Sequence, residues 1–171
     1  MGEFYLTIRV FFALLAVAAA LTAISGCGSS SSDAASTGGV TVETGSLSKA
    51  EFIKKADAVC EEFQEKSAKR LVGYARENHM DLSSALSDAA KAALFEGVFV
   101  PIYRNQLAQI SELGAPEEDV DEIAAILETA EAEIAKGQRD PSATLASNEL
   151  IPKAAALARK YGLVVCGTLW T

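Results

Sequence analysis

Apolar residues follow three rhythms along this chain, and each predicts a different kind of segment. Val10 to Ile24, VFFALLAVAAALTAI, is an unbroken apolar run of 15 residues. Gly28 to Ser48, GSSSSDAASTGGVTVETGSLS, has almost no large apolar side chain. From Ser48 onward apolar positions recur every three or four residues, the spacing that lines one face of an α-helix.

In that last region the pattern predicts a first helix capped by Ser48, with Glu51 completing a capping box. Its apolar face reads Phe52, Ala56, Val59, Cys60, Phe63, Ser67, Leu71 and Tyr74, and it should end near Asn78 and His79. A second helix is expected from an Asp81 cap to about Leu113. Its middle, AALFEGVFVPI over residues 92–102, is apolar almost all round, as in the central member of a bundle. Pro101 lies inside it. Proline has no N–H, so the Gly97 carbonyl loses its usual partner and a kink is expected there.

Gly114-Ala115-Pro116 followed by Glu117, Glu118 and Asp119 reads as a helix stop and restart, with acidic side chains at the positive end of the next helix dipole. The third helix should bury Val120, Ile123, Ala124, Leu127, Ala130 and Ile134 and close at Gly137. Asp140-Pro141 opens a further stretch, interrupted before Pro152. Ala154 to Tyr161 is helical, with Gly162-Leu163 as a left-handed cap. The apolar tail Val164 to Thr171 should pack back on the rest. The predicted fold is all-α, an antiparallel bundle of about four helices.

The first two rhythms concern targeting. The apolar run is short for a span, which needs ~20 residues, but suits the core of an export signal. It leads into Ile24-Ser25-Gly26-Cys27, which resembles a bacterial lipobox. That resemblance implies diacylglyceryl transfer to the Cys27 thiol, acylation of the palmitate type, and cleavage that leaves Cys27 first. Residues 1–26 are thus expected to be a signal peptide, 27–47 a lipidated cysteine with a flexible Ser/Gly-rich linker, and 48–171 the helical domain. A flexible coil over residues 28–47 would have a root-mean-square span of roughly 25 Å. The expected location is the extracytoplasmic face of the cell membrane, held by lipid. Conventional cleavage, giving a soluble secreted protein, and an uncleaved anchor helix are the alternatives.

Charge removes one class of partner. The chain has 15 basic and 23 acidic residues, for a net charge of −8. Removing residues 1–26 takes away Arg9 and Glu3, leaving 14 against 22 and the same balance. Nucleic acids call for basic patches, so no nucleic-acid partner is expected; the membrane, reached through the lipid, and an envelope protein are.

Cysteine counting adds a staple. With Cys27 acylated, Cys60 and Cys166 remain as an even pair outside the cytosol, where a disulfide would join the two ends of the domain. A redox or metal-binding thiol is the alternative, but there is no C-x-x-C. Lys49-Ala50-Glu51-Phe52, Ala56-Asp57-Ala58-Val59-Cys60, Leu113-Gly114-Ala115-Pro116 and Tyr161-Gly162-Leu163-Val164-Val165-Cys166-Gly167 together resemble a loose group of uncharacterised small exported helical proteins of Gram-positive, actinobacterial type. The resemblance implies a helical domain closed by a Cys60–Cys166 bridge and carries no activity with it.

Chemistry is sparse. His79 is the only histidine, which tells against a multi-histidine metal site, a Ser-His-Asp triad and a ferritin-like centre. No haem, phosphate-loop or G-x-S-x-G pattern occurs. The acidic runs at 61–65 and 117–122 lack the central glycine of a calcium loop and read as solvated helix faces and dipole partners. We therefore expect no enzyme, no cofactor and no metal. One candidate ligand site remains, a pocket at the kink formed by Gly97, Pro101, Tyr103 and Arg104.

Overall fold

A computed structural model describes residues 41–147 and 149–170; the expected signal peptide and Cys27 lie outside them. The helices are α1 (Lys49–Glu77), α2 (Asp88–Leu94), α3 (Val100–Glu112), α4 (Val120–Arg139), α5 (Pro141–Ser147), α6 (Pro152–Tyr161) and α7 (Val164–Leu169). A π-helical turn, Phe95–Phe99, joins α2 to α3 without a break, and a 3-10 turn, Glu117–Asp119, precedes α4. Among the described residues there is no strand, only an isolated parallel bridge between Thr44 and Ala115. The fold is all-helical, with its two ends tied by a disulfide between Cys60 and Cys166.

The capping box at α1 is present. The Ser48 side chain accepts from the Glu51 N–H, and the Ser48 N–H donates to the Glu51 carboxylate at 3.0 Å. These Ser48 contacts, the side-chain one first, hold the Glu51 carboxyl below its ordinary range. One face of α1 then buries Phe52, Ala56, Cys60 and Phe63 against the core.

Three expected boundaries move. Asp81 does not cap the second helix. Its carboxylate accepts from the Ser83 backbone and hydroxyl within a turn, and the helix starts seven residues later under a Ser87 cap. Serine and aspartate both form such local turns, so either could be the cap, and the sequence could not rank them. Gly137 does not close the third helix, which continues to Arg139. It is glycine because a Cβ there would overlap the ring of Phe95.

The third change extends the domain towards its N-terminus. Thr41 to Leu47, expected as linker, is docked. The Ala115 N–H donates to the Glu43 carbonyl at 2.9 Å and the Gly45 N–H to the Ala115 carbonyl at 2.7 Å. Val42 and Leu47 pack on the core. Two glycines allow this approach. A Cβ on Gly45 would lie 2.6 Å from the Gly114 carbonyl oxygen, and Gly114 has φ +68°. Backbone pairing of this kind needs no apolar side chain, which is why a Ser/Gly/Thr-rich segment gave no sign of it.

The core is filled from the C-terminal end. Trp170, Leu163 and Cys166 are buried with Phe52, Ile110, Ile123, Leu127 and Ile134. α7 packs on α6 and α1, and α6 on α4, while α1 and α4 each pack on α3. The tail is thus a central element and not a lid.

Candidate functional site

Two carboxylates from long helices start the two short C-terminal helices. α7 has only six residues and its N-cap, Leu163, offers no side-chain acceptor. Asp57 of α1 supplies one. Its carboxylate accepts from the N–H groups of Val164 at 3.2 Å, Val165 at 3.0 Å and Cys166 at 3.1 Å. Glu133 of α4 does the same for α6, accepting from the N–H groups of Lys153 at 2.9 Å and Ala154 at 3.0 Å. Each carboxylate satisfies donors that a helix start leaves unpaired and sits at the positive end of the dipole. One turn beyond Asp57, Cys60 bonds to Cys166, with the two Cα atoms 5.2 Å apart. Asp57→Ala should therefore lower stability by about 2 kcal/mol, and Asp57→Asn, which keeps one acceptor oxygen, by about half that. Urea unfolding of the three proteins checks the order.

This junction forms one wall of a partly enclosed cavity of about 140 Å³. Cys60 and Phe63 of α1 and Trp170 at the end of α7 face Phe99, Ile102 and Tyr103 across it. Gln106, only 3% exposed, lies beside them, and its Oε1 accepts from the Trp170 indole N–H at 2.8 Å. Gln64, Ser67 and Leu169 complete the lining, the Ser67 hydroxyl being turned back to the Phe63 carbonyl at 2.6 Å. Burial pushes the Tyr103 phenol up to about 12, so it is a protonated donor at neutral pH. No lining residue carries a formal charge at that pH.

The four residues expected to form a pocket are distributed over two helix faces. Tyr103 lines the cavity; Gly97, Pro101 and Arg104 are not among its lining residues. Helical geometry separates them. Phe99, Ile102, Tyr103 and Gln106 follow the spacing of one face, whereas positions 97, 101 and 104 follow that of the next. Gly97 lies where a Cβ would overlap the Tyr74 ring. Its carbonyl, which proline at 101 leaves without the usual N–H, accepts from Arg70 Nη2 at 3.4 Å. The irregularity next to Pro101 takes the form of the π-helical turn, in which the Val100 N–H donates to the Phe95 carbonyl. Arg104 turns to α4, its Nε donating to Glu131 at 3.2 Å and its Nη2 to Gln138 at 3.2 Å. Gln106 and Trp170, both central to the cavity, were not among the four residues expected to form a pocket. The four-residue spacing from Ile102 to Gln106 was the available signal.

The acidic runs have local partners. Asp119 accepts from the Tyr161 phenol at 2.8 Å and pairs with Lys49 at 3.4 Å. The Lys49 ammonium also sits 4.0 Å from the centre of the Tyr161 ring. Burial first, then Asp119, raises the phenol of Tyr161 well above its ordinary range. In the other run Glu62 pairs with Lys66 one turn on. Among the described residues no three His, Cys, Asp or Glu side chains are placed to hold a metal ion. His79 follows α1 on the surface with φ +52°. Compared with known protein families, curated proteins and solved structures, the chain matches none.

Proposed function

We propose that this chain is a lipid-anchored, extracytoplasmic helical domain that serves as a non-enzymatic binding or interaction module. The observation that carries the proposal is the use of cysteine. Cys60 and Cys166 are joined, which leaves Cys27 as the one remaining thiol, two small residues and an isoleucine behind it, at the end of an apolar run. A structural disulfide suits an oxidising compartment, and a lone cysteine in that setting suits acylation. Two or more acyl chains would hold the domain stably at a membrane surface. Among the described residues no helix is long and apolar enough to cross a membrane. The resemblance to small exported helical proteins of actinobacterial type belongs to the same proposal, and so does an envelope protein as partner.

We also read α1, the continuous α2–α3 run, α4 and α6 as the four members of an antiparallel bundle. Packing of α1 on α3, α3 on α4 and α4 on α6 supports this.

Cys27→Ser tests the anchor. The variant should lose the mass of the acyl groups and move from the membrane fraction to the supernatant, with the disulfide retained. A wild-type protein with no lipid mass, released from cells as readily as the variant, would favour the soluble secreted form and end the anchoring proposal. Crosslinking in intact cells should recover one discrete partner from the envelope. A second reading, carriage of a small ligand, is favoured by the cavity between Trp170 and Tyr103.

A further inference from the structure

We propose that the cavity beside the disulfide binds a small, planar, uncharged molecule that accepts a hydrogen bond from Nε2 of Gln106. The inference rests on the carrier reading and is independent of the lipid anchor.

The orientation of Gln106 is set by its neighbour. The indole nitrogen of Trp170 can only donate, so the oxygen of the Gln106 amide must face it. Nε2 is then turned away from the indole, and among the described residues nothing accepts from it. Every fully buried side-chain nitrogen or oxygen among those residues has a partner. Nε2 therefore keeps its residual accessibility, and for a residue only 3% exposed that lines the cavity, the accessible side is the cavity itself. A donor that faces a cavity and has no protein acceptor can be satisfied there only by water or by a guest. Its retention within an otherwise aromatic and aliphatic wall is the arrangement of a ligand site, where a few placed polar groups orient a mostly apolar guest.

Size and charge narrow the guest. The volume is about 140 Å³, and an engineered apolar cavity of about 150 Å³ takes up benzene or xenon. One ring with one polar substituent fits that scale. Phe63, Phe99 and Tyr103 line the cavity with aromatic side chains, which suits a flat guest. No lining side chain offers a counter-charge, so an anion would be desolvated without one, and an ammonium group would bring no acceptor for the Gln106 donor.

The chain reports on its own cavity, because Trp170 is its only tryptophan. The purified full-length protein would be titrated with benzamide, benzoate and benzylammonium while the Trp170 emission is followed. Benzamide should give a saturable change with half-saturation on the order of 1 mM, fitting its few atoms. Benzoate and benzylammonium should bind at least tenfold more weakly. Gln106→Glu keeps the acceptor for Trp170 and replaces the free donor, and should weaken benzamide at least tenfold. Ser67→Leu places a larger apolar side chain at the lining and should do the same without disturbing Gln106, so it decides the matter if the first variant fails to fold. Saturable binding of a charged probe but not of benzamide would overturn the ligand class and leave the carrier reading standing. A linear, unsaturable response to all three probes, or benzamide binding unchanged in Ser67→Leu, would overturn both.

Discussion

Replacing Cys60 and Cys166 together by alanine should lower the unfolding free energy by about 4 kcal/mol. The two residues are 106 positions apart, and in the chain-entropy view closing a loop of that length removes up to about 4.7 kcal/mol from the unfolded state. The dependence should be strong here because of what the bond holds. α7 has six residues, and a helix that short is not stable by itself in water. Without the bond its attachment to α1 depends on the Asp57 carboxylate and on the burial of Trp170. Urea unfolding followed by circular dichroism, with and without a reducing agent, measures the difference. A loss below about 1 kcal/mol would mean that packing alone holds the C-terminal end.

Trp170→Ala should cost a similar amount, about 4 kcal/mol. The side chain is fully buried and is the largest in the core. Its removal opens a void against the existing cavity and strips Gln106 Oε1 of its donor. Trp170→Phe keeps most of the apolar contact and loses the indole N–H, so roughly 2 kcal/mol is expected for it. The Trp170 and disulfide effects should not add, since the disulfide fastens α7 to α1 and Trp170, at the end of the same short helix, fastens it to α3 through Gln106. A double-mutant cycle should return a coupling of about 1 kcal/mol or more. Strict additivity would show that the two act on separate parts of the fold.

Much of the fold was legible in the order of residues. Ser48 and Glu51 form their capping box because that motif is satisfied within four residues and needs nothing else. The apolar faces of α1 and α4 follow helical spacing, so Phe52, Ala56, Cys60, Ile123, Leu127 and Ile134 are buried as expected. The Gly97 carbonyl, which Pro101 leaves without its usual N–H, is served from outside its own helix. The misreadings share another origin. Asp81 and Ser87 are both competent caps, and only the packing of the following residues chooses between them. Gly137 reads as a stop by composition, yet it is a contact point for Phe95.

The candidate site was less legible. Tyr103 was placed in the expected pocket and Gln106 was not, because a polar residue in a helix reads as solvated until the indole that covers it is known. Arg104, adjacent in sequence, was drawn into the same pocket although one residue turns a helix by about 100°. Its partners, Glu131 and Gln138, lie on α4 and leave it no part in the cavity.

The order of residues alone determined what local rules can decide: the helical class of the fold, the Ser48 cap, the glycine stops at Gly114 and Gly162, the apolar faces, and the pair of cysteines available to close it. Those features depend on contacts within a few residues or on counting, and so they survive without knowledge of distant neighbours. Tertiary structure alone decided that Asp57 and Glu133 start helices belonging to distant parts of the chain, that residues 41–47 pair with Ala115, and that Trp170 turns the Gln106 amide towards a cavity. Each of these joins groups at least 20 residues apart, where hydrogen bonding and packing depend on how whole helices meet and not on any local spacing.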